Sequence, residues 1–476
     1  PSGGQGTMTR DSVTHNSMTN SSMTNDSKTR TGDPVAVLQG VLGETRCSGD
    51  AATRAMYAVD GCRPQAVAWP RTAEEVGAVL AAANAHGWAV IPWGSGSALA
   101  EGDVPTRYDV ALMTTDLGEL LDEDADNLTV TVAAGMRAAE LNRRLRDARL
   151  HLPLTLGEGQ GTIGGALMAD RPLPKRLLHG DLRDLLLGLR VALPDGSLVR
   201  YGRKVIKNVA GYDMNKLFLG SQGMLGVVVE ATFKLFAVPD EERCLLAAFP
   251  DAWHAAACAA HLFTSRLLPA FLYLLDEAAA PQVYGSLQQV APAGASHLLV
   301  GFEGRAATLQ RQLRDGQALL RQHGATASAE AGRVTPHLRD ALERHGPRSG
   351  EPAVLRLRLG VLPTTLSRTQ DALRQALDAL QVPHAVVSDY GAGQLRVAVG
   401  VVPEQTVPAL LAQLRRLRQG LGSQRGYLVV EEAPPAVKAE LDVLGADAGE
   451  LRLMRLLKQR FDPGDVLAPG RYLDEG

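Results

Sequence analysis

Three stretches of this sequence gather residue types suited to holding an anionic ligand. The first is Pro92-Trp93-Gly94-Ser95-Gly96-Ser97. Residues without bulky side chains let successive backbone N–H groups turn toward a phosphate, and the serine hydroxyls add donors. The string lacks the G-x-G-x-x-G spacing of a dinucleotide fingerprint and runs toward Gly102 and Pro105 instead of a helix, so a Rossmann loop is disfavoured. Taken alone it reads equally well as a surface turn. The second stretch is Thr162-Ile163-Gly164-Gly165, and the third spans 202–235. In the third, Gly211, Gly220, Gly223 and Gly226 permit close backbone approach, while Lys207, Asn208, Tyr212 and Asp213 supply polar groups that a plain connector does not need. The eleven histidines are scattered. His254 and His261, seven apart, read as exposed positions on an amphipathic helix, and Glu431-Glu432 as a solvated strand end. The four cysteines (Cys47, Cys62, Cys244, Cys258) have no C-x-x-C spacing, so neither zinc, iron–sulfur ligation nor a disulfide framework is expected, and no metal site is assigned.

The elements that must position these loops are legible from periodicity and caps. Strand 66–69 is followed by Thr72 and Glu75, a capping box, and by Val76, Val79, Leu80 and Ala83 at helical spacing up to Gly87. Strand 88–92 completes a right-handed βαβ unit that delivers the first loop. A strand at 128–132 and a helix at 138–148 follow. Pro194-Asp195-Gly196 then turns a hairpin between 185–193 and 197–201. Val227, Val229, Ala231, Phe233 and Leu235 alternate with Glu230, Thr232 and Lys234, which predicts an antiparallel strand with one wet face. Beyond Pro239 the order is strand 245–249, helix 251–265, strands 271–275 and 297–302, and helix 306–322. Strand 354–361, helix 365–379, strands 384–388 and 394–399, helix 404–418 and strand 426–431 then repeat it. This is two βαββαβ units, a duplicated split-βαβ sheet with helices on one face. The segment 325–350 reads as a loose connection, and a last helix at about 447–460 leads into "FDPGDVLAPGRYL".

The string "KNVAGYD" (207–213) followed by "GSQGMLGVVVEATFKL" (220–235) resembles FAD-binding domains of the vanillyl-alcohol-oxidase (PCMH) type, and more closely the FAD-binding subunits of bacterial glycolate oxidases. "IPWGSGS" (91–97), "TVAAGMRAAEL" (131–141), "GTIGG" (161–165), "RDLLLGLRVALPDG" (183–196) and "FDPGDVLAPGR" (461–471) fall in the family's order. The resemblance is good over about 60–240 and at the C-terminus; between 245 and 430 it is architectural. Residues 1–33, rich in Ser, Thr, Asn and Gly and nearly without large apolar side chains, are expected to be a disordered low-complexity N-terminus. The resemblance implies an α+β protein with a two-subdomain FAD-binding domain (34–240), an antiparallel-sheet α+β cap (241–445), and a C-terminal segment (446–476) returning to the FAD domain. It further implies that Pro92, Trp93, Gly94, Ser95, Gly96 and Ser97 wrap the FAD pyrophosphate, that Thr162, Gly164 and Gly165 lie along pyrophosphate and ribitol, and that Gly223, Gly226 and Val228 face the adenine side. Asn208 and Tyr212 would sit near the flavin-facing wall, with Pro469-Gly470-Arg471 closing over it. The first loop has no histidine for a covalent link, so FAD is expected to be non-covalent.

Two departures bear on chemistry. After Gly165 the family has a further small-residue turn, where this chain has Asp170-Arg171-Pro172-Leu173-Pro174, with Lys175 and Arg176 either compensating by charge or solvated. Relatives that oxidise 2-hydroxy acids carry histidine motifs in the second domain, including a late Glu-His-Gly; the comparable stretch here, "YLVVEEAPPAVK" (427–438), has none. No base is assigned, His179 is a candidate to approach the flavin, and Arg471 is the candidate carboxylate clamp because its planar fork matches a carboxylate bidentately. The leading expectation is the FAD-binding subunit of a glycolate oxidase-like complex acting on a small 2-hydroxy acid, with a second flavoprotein and an iron–sulfur subunit as partners. The alternatives are a free-standing dehydrogenase of another hydroxy acid or alcohol, and a catalytically degenerate scaffold subunit.

Composition is consistent with this and excludes other classes. At 476 residues the chain has room for two or three domains. Its 49 Lys plus Arg against 52 acids lack the cationic excess needed to coat nucleic acid or anionic membrane. No apolar run approaches the ~20 residues of a membrane span. A cytoplasmic protein is expected, with any membrane association made through partners.

Overall fold

The computed structural model describes residues 30–154, 161–202, 204, 212–294, 296–348, 350–423 and 425–473. The N-terminal low-complexity segment up to residue 29 lies outside the described residues. The first sheet contains β1 (Cys47–Ser48), β2 (Ala66–Ala68), β3 (Val90–Trp93) and β4 (Val110–Met113), in the order β1-β2-β4-β3. Helix Ala73–His86 connects β2 to β3. It starts at Thr72, whose hydroxyl accepts from Glu75 N at 3.1 Å, and stops at Gly87, left-handed at φ 69°. β4 lies between β2 and β3 and runs parallel to both, so the crossover spans an intervening strand where the sequence suggested neighbours.

The second sheet holds β5 (Leu120–Asp124) and β6 (Thr129–Ala133). β7 (Leu150–His151) stands apart, and β8 (Leu186–Ala192), β9 (Leu198–Gly202) and β10 (Val227–Lys234) complete the sheet in the order β5-β6-β10-β8-β9. β10 is central, antiparallel to both β6 and β8. Its expected wet face is therefore closed: Glu230 is only 8% exposed because Arg190 (2.6 Å) and Arg200 (3.0 Å) cover it. β11 (Phe236–Ala237) pairs with β7. Val76, Val79 and Leu80 of helix Ala73–His86 pack with Val227 and Val229 of β10, fusing the two sheets through one core.

The cap follows as β12 (Glu241–Phe249), β13 (Phe271–Asp276), β14 (Ser296–Gly304), β15 (Ala327–Ala331), β16 (Leu355–Gly360), β17 (His384–Asp389), β18 (Gln394–Val399) and β19 (Tyr427–Glu432). They make one eight-stranded sheet, β15-β12-β14-β13-β17-β18-β16-β19, in which the two βαββαβ units join edge to edge at β13 and β17. Helices Ala252–Thr264, Ala306–Gln322, Leu366–Ala379 and Val407–Gly422 share a single core on one face. The opposite face of the first unit is also covered, by helices Ala280–Ser286 and Pro336–Glu343 packing on Leu246, Tyr273, Leu275 and Leu299. The expected single helical layer is thus incomplete, and 325–350 holds a strand and a helix. Helix Ala448–Phe461 then returns the chain to the first two sheets, where Leu467 bridges to Val90. No helix among the described residues is long and apolar enough to cross a membrane.

Candidate functional site

The loop leaving β3, the turn entering helix Ile163–Ala169 and the turn entering β10 converge on one cleft. It is lined by Pro92, Trp93, Gly94, Ser95, Gly96 and Ser97, by Gly164 and Gly165, and by Gly223, Gly226 and Val228, with Tyr472 from the C-terminal segment. Local hydrogen bonds fix the first loop: Thr114 donates through its backbone N (2.8 Å) and hydroxyl (2.9 Å) to the Trp93 carbonyl, and the Trp93 indole donates to Tyr108 Oη at 2.8 Å. The Thr162 hydroxyl caps the second turn by accepting from Gly165 N at 3.2 Å. The approach is close enough that a Cβ on Gly94 would strike the Thr162 hydroxyl, while Gly223 sits at φ 75° against Pro92. Small residues from three distant parts of the chain thus form a narrow wall, which is what an extended dinucleotide with two phosphates requires.

An adjoining cavity of about 380 Å³ shares Ser97 and Gly165 with the cleft and reaches the cap. Thr162 lines it, as do Arg171, Arg339, Glu343 and Arg344. Arg344 donates to the Ser97 carbonyl at 3.0 Å, tying cap to loop. Arg171 is ion-paired with Glu101. Arg339 is 1% exposed; its Nη2 pairs with Glu343 at 2.6 Å, while Nε and Nη1 have no protein partner. A buried guanidinium short of acceptors is costly, and an anion in the cavity would supply them. Sequence reasoning missed this residue by treating 325–350 as a connection. The signal was present in Thr335-Pro336, an N-cap followed by proline at the first helical position, with the Thr335 hydroxyl accepting from Leu338 N at 3.2 Å.

Several other candidates are placed differently from expectation. Arg471 is no carboxylate clamp. It is 1% exposed, and its guanidinium donates to the carbonyls of Leu99 (2.6 Å), Asp103 (2.6 Å) and Glu101 while facing Asp60 at 3.2 Å. Its work is to shape the chain after the first loop. Tyr212 is 95% exposed and lines neither cavity, and Asn208 lies outside the described residues. Glu431 is not a solvated edge: it is 6% exposed between Arg358 (2.7 Å) and Arg396 (3.2 Å). Burial would raise its pKa, but the arginines hold it at about 2. His254 and His261 do lie on an exposed helix face, where His261 stacks on His323 at 4.0 Å.

Lys175 and His179 turn away from both cavities toward the cap. Lys175 is 8% exposed between Glu242 and Glu303 Oε2 (2.6 Å), and His179 Nε2 lies 2.5 Å from Glu303 Oε1. Burial would raise the Glu303 pKa, but His179 and Lys175 hold it at about 2. His151 of β7 meets the His179 ring edge-on at 5.8 Å. His151, His179 and Glu303 offer ligand atoms all within 4.8 Å of one another, a cluster that no sequence spacing announced.

Comparison with known proteins agrees with this geometry. Residues 64–202 match the family described as FAD binding domain, and residues 238–472 match the FAD linked oxidases, C-terminal domain. The chain is 27% identical over 430 residues to the glycolate oxidase subunit GlcD of Bacillus subtilis, covering 86% of this chain and 88% of that one. It is 29% identical over 431 residues to D-2-hydroxyglutarate dehydrogenase of Xanthomonas citri pv. viticola, covering 86% and 89%. Among solved structures, p-cresol methylhydroxylase with substrate bound superposes with a TM-score of 0.73 at 14% identity, covering 93% of this chain and 96% of that one, a likeness of fold. Two matched family regions, which hold the first two loops of the cleft and the cap, make this chain an FAD-dependent oxidoreductase of the vanillyl-alcohol-oxidase (PCMH) type.

Proposed function

We propose that the chain oxidises a small 2-hydroxy acid as the FAD-binding subunit of a glycolate oxidase-like complex. The observation that carries this reading is Arg339, buried on the cavity beside Gly165 with two guanidinium nitrogens unpartnered. A substrate carboxylate in the cavity would accept a charge-assisted hydrogen bond from Nη1, with its 2-carbon turned toward the glycine-lined cleft. The backbone of Pro92–Ser97, with Thr162, Gly164 and Gly165, would hold the FAD pyrophosphate and ribitol, and Gly223, Gly226 and Val228 the adenine side. FAD, when bound, supplies the two-electron acceptor.

The proposed partners rest on the chain's cysteine inventory and on one relative. Its four cysteines are dispersed and cannot hold an iron–sulfur cluster, so electrons leaving the flavin would pass to a cluster-bearing partner. The relative named as a glycolate oxidase subunit supports this reading. A scaffold role remains the second reading, favoured because no histidine lines the cavity among the described residues. A colourless protein that refuses added FAD would establish the scaffold.

The test is Arg339→Gln in the FAD-loaded complex. Loss of a buried charged contact of ~3–4 kcal/mol predicts a fall of about 10²–10³-fold in kcat/KM for glycolate or D-lactate, with FAD content unchanged. Unchanged kcat/KM would overturn the carboxylate assignment. Sustained turnover of glycolate by the isolated FAD-loaded chain in air, with no partner and no added acceptor, would overturn the partner requirement.

A further inference from the structure

The cluster His151–His179–Glu303 lies outside both cavities and is not used in the proposed reaction. Its members come from β7, from the end of helix Arg176–His179, and from β14 of the cap. We propose that these three side chains bind one divalent transition-metal ion of the zinc class, fastening the FAD-binding domain to the cap. Two imidazoles and one carboxylate are a ligand set that zinc takes with a fourth position left for water. Imidazole-rich sites select zinc-like ions over magnesium or calcium, which prefer oxygen.

Three observations converge. His151 is oriented among these groups with both ring nitrogens buried and no hydrogen-bond partner, so either nitrogen is free to ligate. Glu303 presents Oε1 to His179 while Lys175 holds Oε2, which leaves a single oxygen for a metal and fixes its direction. Glu242, paired to Glu303 across the strands β12 and β14, neutralises Lys175. With neutral imidazoles, Glu242, Glu303 and Lys175 sum to one negative charge, favourable for a dication. Tetrahedral ligands at ~2.0–2.1 Å stand ~3.3 Å apart. The His179–Glu303 contact of 2.5 Å would open by under ~1 Å, and the widest separation, within 4.8 Å, would close by at most ~1.5 Å. Side-chain rotation alone covers such shifts. As the metal takes Nε2, the single proton of the neutral His179 ring moves to Nδ1 and the ring stays neutral.

The experiment uses the full-length FAD-loaded chain, stripped with a chelator and titrated with Zn²⁺, then with Co²⁺ as a spectroscopic reporter. The expected result is one equivalent bound, an intense tetrahedral cobalt absorption, a raised Tm, and no binding of Mg²⁺. His151→Phe keeps the ring and removes a residue without hydrogen bonds, so it should fold as well as the parent and lose the cobalt signal and the Tm shift. Glu303→Gln should behave like it. Absence of stoichiometric binding by the parent would overturn the proposal, as would equal binding by His151→Phe, the outcome if the exposed His261–His323 pair were the acceptor.

Discussion

The two halves of the cap sheet are one design used twice, and they differ on a single face. β12–β15 and β16–β19 share the same strand–helix order, and each buries one face under two helices in a common leucine- and valine-rich core. On the other face the first half shows Cys244, Leu246, Tyr273, Leu275 and Leu299 to two further helices. The second half instead carries Arg356, Arg358, Arg396 and Glu431, three of them tied together as Arg358–Glu431–Arg396. Arg358 also lines a groove with Glu101, Ala169 and Asp170, so this charged face meets the FAD-binding domain. Duplication supplies a frame; the residues on the free face decide whether it receives helices or the flavin domain.

The largest effect is expected on the charged face. Glu431→Gln leaves Arg358 and Arg396 buried around a neutral amide, and breaking such a pair costs about 3–5 kcal/mol in denaturant unfolding. Because the Glu431 pKa is lowered, its contribution is fully present above the unfolded value near ~4.3 and fades as pH falls toward 2. The gap between parent and variant should therefore close over that window. On the apolar face, Leu299→Ala removes a fully buried side chain and should cost about 3 kcal/mol through the cavity left behind, with FAD content unchanged. If Leu299→Ala released FAD and Glu431→Gln did not, the division of labour between the halves would be reversed.

Much of the frame was legible because local rules govern it. Thr72 and Gly87 bound their helix, Pro194-Asp195-Gly196 turns its hairpin, and the repeated βαββαβ rhythm follows from periodicity. The convergence of Gly94, Gly164 and Gly223 on one cleft was reached only through the order of family motifs, since no single glycine loop specifies its partner. What stayed hidden depends on distant neighbours. Glu230 looks solvated until two arginines cover it, and Arg471 looks like a free clamp until carbonyls of residues 99–103 fill its donors. Arg339 matters because of partners it lacks, and periodicity carries no trace of that. His151, His179 and Glu303 stand 28 and 124 residues apart in succession, beyond any motif.

The seam between the halves offers the finest test. Asp389 ends β17 opposite Tyr273 of β13, the only strand pair joining the two units among the described residues. It is 7% exposed, accepts from Ala392 N at 3.1 Å, and burial pushes its pKa up to about 6. A raised carboxyl pKa means that the folded state favours the proton. Its stabilising contribution is complete below the unfolded value near ~3.9 and is lost as pH rises through 6. An amide in place of this carboxyl would keep the acceptor for Ala392 and never ionise. Asp389→Asn should thus match the parent near pH 4, gain on it up to about pH 6, and hold an advantage of ~3 kcal/mol above that. A constant difference across pH 4–8 would mean that Asp389 stays ionised throughout. The seam would then be held by charge, like the second half, and not by burial, like the first.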